Sequence, residues 1–216
     1  MPVGHSVLAL AIILGAGAEP KPAAPSDFVG EAGAIPEAVA ATMKQYSWHE
    51  GCPLGLEGLA YLKLSYWGMD GAPHQGELIV DKDLVEDVLA IFRELYDARF
   101  PIDKLRLIDA YQGSDDLSMA DNNSSAFNCR FMTGSTTTYS KHSYGRAIDL
   151  NPLTNPYVSK KEVQPPAGKA FVDRTQKKPG LIVERDLVYK AFTGRGWVWG
   201  GGWKSIKDYQ HFEKKK

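Results

Sequence analysis

The sequence predicts one α+β domain, a small and mostly antiparallel sheet flanked by helices. Three observations carry that expectation. Candidate strands and helices follow one another without the βαβα rhythm of a doubly wound sheet. No internal repeat and no second linker divides the chain after residue 35. A length of 216 residues, 44% of them hydrophobic, fills one well-packed core but is short for two. Lys+Arg at 25 against Asp+Glu at 26 gives a formal charge of -1, which removes the global electrostatic case for a nucleic-acid or anionic-membrane partner.

The chain opens on the apolar run Val7 to Leu14, followed by Gly15 and the small-x-small triplet Ala16-Gly17-Ala18. This run is shorter than the ~20 residues a membrane-spanning helix needs. Residues 1–18 therefore read as a signal peptide, although no Lys or Arg precedes the run, and a buried N-terminal helix is the competing reading. Export to the periplasm or beyond follows from the first reading. Residues 19–34, with Pro20, Pro22 and Pro25, read as a flexible linker. The folded domain is expected over 35–216, with no transmembrane segment, as a monomer.

Within that domain, Ile35 to Trp48 reads as a short helix. Residues 59–66 and 76–80 read as strands separated by the turn signals Gly68, Asp70, Gly71 and Pro73. The strongest element is a helix from about Lys82 to Ala98, where Leu84, Val85, Val88, Leu89, Phe92, Leu95 and Tyr96 recur at helical spacing. Asp81 and Asp83 stand at its positive end and Arg99 past its negative end. Leu105 to Tyr111 is expected to leave that helix as a strand, Gly113 to Ser125 to form a polar surface loop, and Phe127 to Met132 to resume a strand. Asn151 to Gly180, with Pro152, Pro156, Pro165, Pro166 and Pro179, reads as a long irregular segment of the kind compact domains keep for a functional wall or lid. Asp186 to Phe192 reads as a short helix.

Cys52 and Cys129 lack CxxC spacing and carry no catalytic signal. In an oxidising compartment they can form one bridge, worth about 4 to 5 kcal/mol in the chain-entropy model; two buried free thiols are the alternative.

Chemistry concentrates in two short strings. His142 and Asp149 lie in Ser140-Lys141-His142-Ser143-Tyr144-Gly145-Arg146-Ala147-Ile148-Asp149, and His211 lies in Asp208-Tyr209-Gln210-His211-Phe212-Glu213. Two imidazoles and a carboxylate are one ligand short of a closed structural zinc site and leave a coordination position for water. His142 and Asp149 would fall on opposite faces of a continuous strand, so the chain must turn between them, and Gly145 is the place for it. Asp208 is the carboxylate expected to act as base on that water, with Glu213 as runner-up because it shares the strand face of His211. Arg130 is the leading candidate for stabilising developing negative charge, ahead of Arg146 and Lys141.

The pattern Ser140-x-His142-x-x-Gly145-x-Ala147-x-Asp149 with Asp208-x-x-His211 resembles the zinc D-alanyl-D-alanine carboxypeptidases and L-alanyl-D-glutamate endopeptidases of the bacterial cell wall. These share the DD-peptidase/Hedgehog fold. The likeness extends to Ser118-Met119-x-x-Asn122-Asn123-x-Ser125-Ala126-Phe127-Asn128-Cys129-Arg130 and to Trp197-x-Trp199-Gly200-Gly201, covering about residues 50 to 213. It implies one Zn2+ per chain held by His142, Asp149 and His211. It also implies Asp208 as general base where some relatives have Glu, Arg130 at the substrate carbonyl, and a peptidoglycan stem peptide as substrate. Ser140, Tyr144, Trp199 and Trp203 are the expected substrate contacts, with Trp197, Trp199 and Trp203 placed along the groove or in the core. No wall-binding repeat follows His211, so targeting by an appended module is not expected. A zinc-binding but catalytically silent recognition domain of the same fold is the alternative, and Asp208 together with Arg130 argues against it. A non-haem iron oxygenase also uses two His and a carboxylate, but its usual His-x-Asp spacing is absent.

Overall fold

The computed structural model describes Met1 and residues 27–215. The expected signal peptide, apart from Met1, and residues 19–26 of the expected linker lie outside the described residues. The described chain forms β1 (Gly30–Gly33), α1 (Glu37–Tyr46), β2 (Leu59–Trp67), β3 (Pro73–Asp81), α2 (Val85–Asp97), β4 (Lys104–Leu105), α3 (Asp115–Ala120) and β5 (Asn123–Ser124). It continues with β6 (Ala147–Asp149), β7 (Tyr157–Val158), β8 (Val163–Gln164), α4 (Leu187–Thr193), β9 (Val198–Trp199), β10 (Lys207–Asp208) and β11 (His211–Glu213). This is the expected α+β mixture with mainly antiparallel pairing; the short β4–β5 contact is parallel.

β2 is the centre of the scaffold, flanked by β1 and β3 in an antiparallel sheet. Its burial does not alternate, because both faces are covered. Ala60, Leu62 and Leu64 face a core shared with Val88, Ile91, Phe92 and Leu95 of α2. Leu59 and Tyr61 face a second cluster with Met43 of α1 and Phe127. Each fully buried aliphatic side chain there contributes roughly 1.5–3 kcal/mol relative to exposure. The start of α2 is fixed through a tight turn at 82–84 that Asp81 caps by accepting from the Asp83 N–H at 3.0 Å. Its stop is Arg99, in the left-handed region at φ 53°, shortly before Pro101.

A smaller sheet, in the order β6-β11-β9, carries the chemistry. Phe212 at the middle of β11 is fully buried and stacks on Phe192 of α4 at 4.0 Å. With the period of two along a strand, burying Phe212 turns His211 and Glu213 to the other face. The segment 151–180 is irregular as expected, apart from β7, β8 and a tight turn at 166–171. Arg174 fastens it, donating to the Thr154 and Ile182 carbonyls at 2.9 and 2.6 Å and lying 4.5 Å over the Tyr209 ring.

Four expectations are corrected. The linker ends sooner than residue 34, since Gly30–Gly33 adds a strand to the main sheet by pairing with Tyr61–Leu64. Of Leu105 to Tyr111, only Leu105 is in a strand; Ile108–Tyr111 is a helical turn ended by Gln112 at φ 56°. The polar loop 113–125 contains α3, because Ser114 accepts from the Leu117 N–H and the first turn is acidic. Its Asn123 is fully buried, its side chain donating to the Arg106 carbonyl and to Ser118 at 3.0 Å each. Residues 127–132 form no strand: Phe127, Asn128 and Cys129 are buried in succession and bond to Ile79, His142 and Ser47 through their N–H groups.

Candidate metal centre and active site

His142 sits on a helical turn over 141–144 that is built to deliver it. Ser140 caps the turn by accepting from the His142 N–H at 3.3 Å, and Gly145 closes it at φ +64°. A Cβ on Gly145 would overlap the Asp81 nitrogen and come within 2.8 Å of the Val80 carbonyl carbon, so glycine is required by both conformation and space. Beyond Gly145 the chain enters β6, where Ile148 and Leu150 are fully buried and Asp149 faces the site. β11 runs antiparallel to β6 with His211 directly opposite Asp149. The sharp turn expected between His142 and Asp149 thus exists at Gly145, and three distant residues meet.

Their geometry is that of a ligand set. His142 Nε2 lies 3.2 Å from Asp149 Oδ2 and 3.3 Å from His211 Nδ1, and His211 Nδ1 lies 2.9 Å from Asp149 Oδ1. One donor atom from each residue falls within 4.8 Å of the others, so together they can hold a metal ion. A carbonyl oxygen only accepts, so the 2.5 Å contact with the Ala126 carbonyl places the proton of His142 on Nδ1 and leaves the Nε2 lone pair facing the cluster. On the far side of His211, Nε2 lies 3.3 Å from Glu213 Oε2. Glu213 therefore orients the imidazole, as outer partners of metal-bound histidines do. This role was missed in the sequence, where the shared strand face made it the runner-up base.

The electrostatics ask for a cation. Burial penalises an imidazolium at His211, yet Asp149 and Glu213 outweigh it and push the pKa up to about 10. Asp149 is held below the usual carboxylate range, since His142 and His211 overcome the cost of its burial. The hydrogen bond from His211 likewise lowers Glu213. Asp208 behaves oppositely: desolvation dominates, and despite the attraction of His211 its pKa is pushed up to about 6. Its Oδ1 is shielded from solvent without a hydrogen-bond partner among the described residues. A carboxylate oxygen left so is a site awaiting a donor. The two-His, one-carboxylate donor set, of hard and borderline character with a position to spare, fits zinc.

Gly200 lets Asp208 come close; a Cβ there would sit 2.7 Å from the Asp208 carbonyl oxygen and 3.4 Å from His211 Cβ. Arg130 is tied by its backbone to the His142 turn, its N–H donating to Ser143 Oγ at 2.9 Å while Ser143 Oγ donates to its carbonyl at 2.7 Å. Its guanidinium forms an ion pair with Asp115 of α3. Of the expected substrate contacts, Trp203 is partly exposed with its ring 5.5 Å from that of His211, and Tyr144 is partly exposed beside Lys141. Ser140 is buried and occupied in capping. Trp199 is 6% exposed, lies in the core and donates to the Tyr209 carbonyl, so it braces β9 against β11 rather than facing a groove. Trp197 is core as well. Cys52 and Cys129 are joined in a disulfide. Arg146, a weaker cation candidate, is instead buried in a pair with Asp81 at 2.7 Å.

A family model described as D-alanyl-D-alanine carboxypeptidase matches residues 133–214. Over that segment the chain is similar to a peptidase family. The matched span includes His142, Asp149, Asp208 and His211 and leaves Arg130, Asp115 and both cysteines outside it. No curated protein and no solved structure matches the chain. Among the described residues, no helix is long and apolar enough to cross a membrane.

Proposed function

We propose that the protein is an exported zinc metallopeptidase that hydrolyses peptide bonds in peptidoglycan stem peptides, acting as a monomer with one zinc per chain. The observation that carries this reading is the meeting of His142, Asp149 and His211 with Asp208, a desolvated carboxyl that feels all three and whose Oδ1 has no hydrogen-bond partner among the described residues. Zinc bound by the three ligands would supply Lewis acidity, making water a nucleophile near neutral pH. With a pKa near 6, Asp208 is mainly ionised at pH 7 and able to take a proton from the attacking water. The same carboxyl then returns that proton to the leaving amine. Arg130 offers its guanidinium to the substrate carbonyl oxygen as negative charge builds. Trp203, next to His211, gives the peptide an aromatic surface, and the segment 151–180, fastened by Arg174, forms a wall.

A silent zinc-binding domain would have no use for a desolvated carboxylate with one oxygen left without a partner at this position. The test is to incubate the purified protein with defined muropeptides and read product masses. Release of alanine marks a cut at the D-alanyl terminus, and shortened stems mark a cut within the peptide. Intact muropeptides in the presence of a stoichiometric metal ion would overturn the reading.

A further inference from the structure

We propose that His49, Cys52 and Cys129 form a second metal site, for a soft or borderline divalent cation of the zinc and cadmium class, which comes into being when the Cys52–Cys129 bond is opened. One donor atom from each of the three residues lies within 4.8 Å of the others. The arrangement shares no donor residue with the cluster of His142, Asp149 and His211 and falls outside the segment that matches the peptidase family.

The local backbone is organised as a ligand turn. His49 and Cys52 stand three residues apart on one tight turn, closed by the Cys52 N–H donating to the His49 carbonyl at 3.1 Å, with Gly51 at φ 92°. The His49 N–H donates to Cys52 Sγ at 3.2 Å, a contact that stabilises sulfur carrying negative charge. His49 Nδ1 is 2.8 Å from the Glu50 carbonyl, which can only accept, so the proton sits on Nδ1. That leaves the Nε2 lone pair directed to the sulfurs, 3.6 Å from Cys129 Sγ. A histidine fixed in this tautomer by a backbone carbonyl is the standard arrangement of a metal-bound imidazole.

The segments that carry the two sulfurs are also held by bonds other than the disulfide. The Cys129 N–H donates to the Ser47 carbonyl at 2.9 Å, and Tyr139 Oη donates to the Gly51 carbonyl at 2.8 Å. Cys129 is buried while Cys52 is partly exposed and His49 exposed, so a small reductant and a cation both have access from one side. The chemistry balances with a dithiol as reductant. It gives up two electrons and two protons to become a disulfide, and the protein disulfide becomes two thiols. Cation binding then releases those two protons as the thiolates become ligands alongside neutral His49. Two thiolates and an imidazole select zinc-class ions over magnesium or calcium.

Cobalt(II) is the probe. The full chain is titrated anaerobically, oxidised and after dithiol reduction and removal of the reductant. The expected result is one additional cobalt per chain in the reduced form only, with a thiolate-to-cobalt absorption band that the oxidised protein lacks. Cys52→Ser abolishes that band, and His49→Ala, which leaves the disulfide of the oxidised protein intact, weakens the additional binding by more than about tenfold. Equal cobalt stoichiometry in the two redox forms, or an unchanged band in His49→Ala, overturns the proposal. So does a reduced chain that unfolds, by circular dichroism, and does not refold on adding cobalt. Loss of wall hydrolysis has no bearing on any of these readings.

Discussion

Arg130 is paired with Asp115, and the same carboxylate accepts from Asn128 Nδ2 at 2.9 Å. The first turn of α3 is thereby fastened to the stretch that runs alongside the His142 turn. A guanidinium held at Nε keeps its remaining N–H groups in a fixed fork. Asp115→Asn is expected to lower kcat on a stem peptide by about tenfold with zinc content unchanged, because Arg130 loses its charged anchor. Arg130→Lys, which cannot present the fork, is expected to cost on the order of 10²-fold. Paired measurements of kcat, KM and bound metal check this; unchanged kcat in both variants would remove Arg130 from the reaction.

Asp208→Asn keeps size but cannot accept a proton. It is expected to retain zinc and to lose about 10²- to 10⁴-fold in turnover. His142→Ala is expected to lose the metal itself. Metal analysis beside turnover separates the two outcomes, and full activity in Asp208→Asn would refute the assignment of the base.

Phe212 anchors β11 from inside the core, and Phe212→Ala is expected to cost about 3–5 kcal/mol of stability in urea unfolding. Because His211 and Glu213 flank it on the same strand, zinc affinity should fall with it. A variant that lost stability while binding zinc normally would show that β11 is held by its ladder alone.

Gly145→Ala places a methyl against the Asp81 nitrogen and the Val80 carbonyl carbon in a left-handed turn. Destabilisation of about 1–3 kcal/mol is expected, with weaker metal binding because His142 moves. Thermal unfolding together with zinc titration reads both effects.

The sequence displayed the cluster of His142, Asp149 and His211 and the β2–β3 pair clearly, and for definite reasons. α2 carries a stripe at helical spacing that coincides with what it buries, and β2 carries the residues that suit a strand covered on both faces. The three residues of that cluster were legible because metal chemistry restricts residue type so strongly. What was obscured is polar and non-local. Asn122 and Asn123 look like loop residues until their side chains are seen satisfying buried backbone groups from distant segments. Ser114-Asp115-Asp116 did hold a helix-start signal, a capping hydroxyl before an acidic turn, and reading it would have exposed α3 and with it Asp115. Trp199 could not be placed from sequence, since an indole serves equally in a core or a groove until its N–H finds a partner.

The facing positions of Asp149 on β6 and His211 on β11 make any ion between them a rivet through the ladder. A chelator that removes such an ion should then lower the melting temperature of the protein, and heat tolerance would report metal loading before a substrate is in hand.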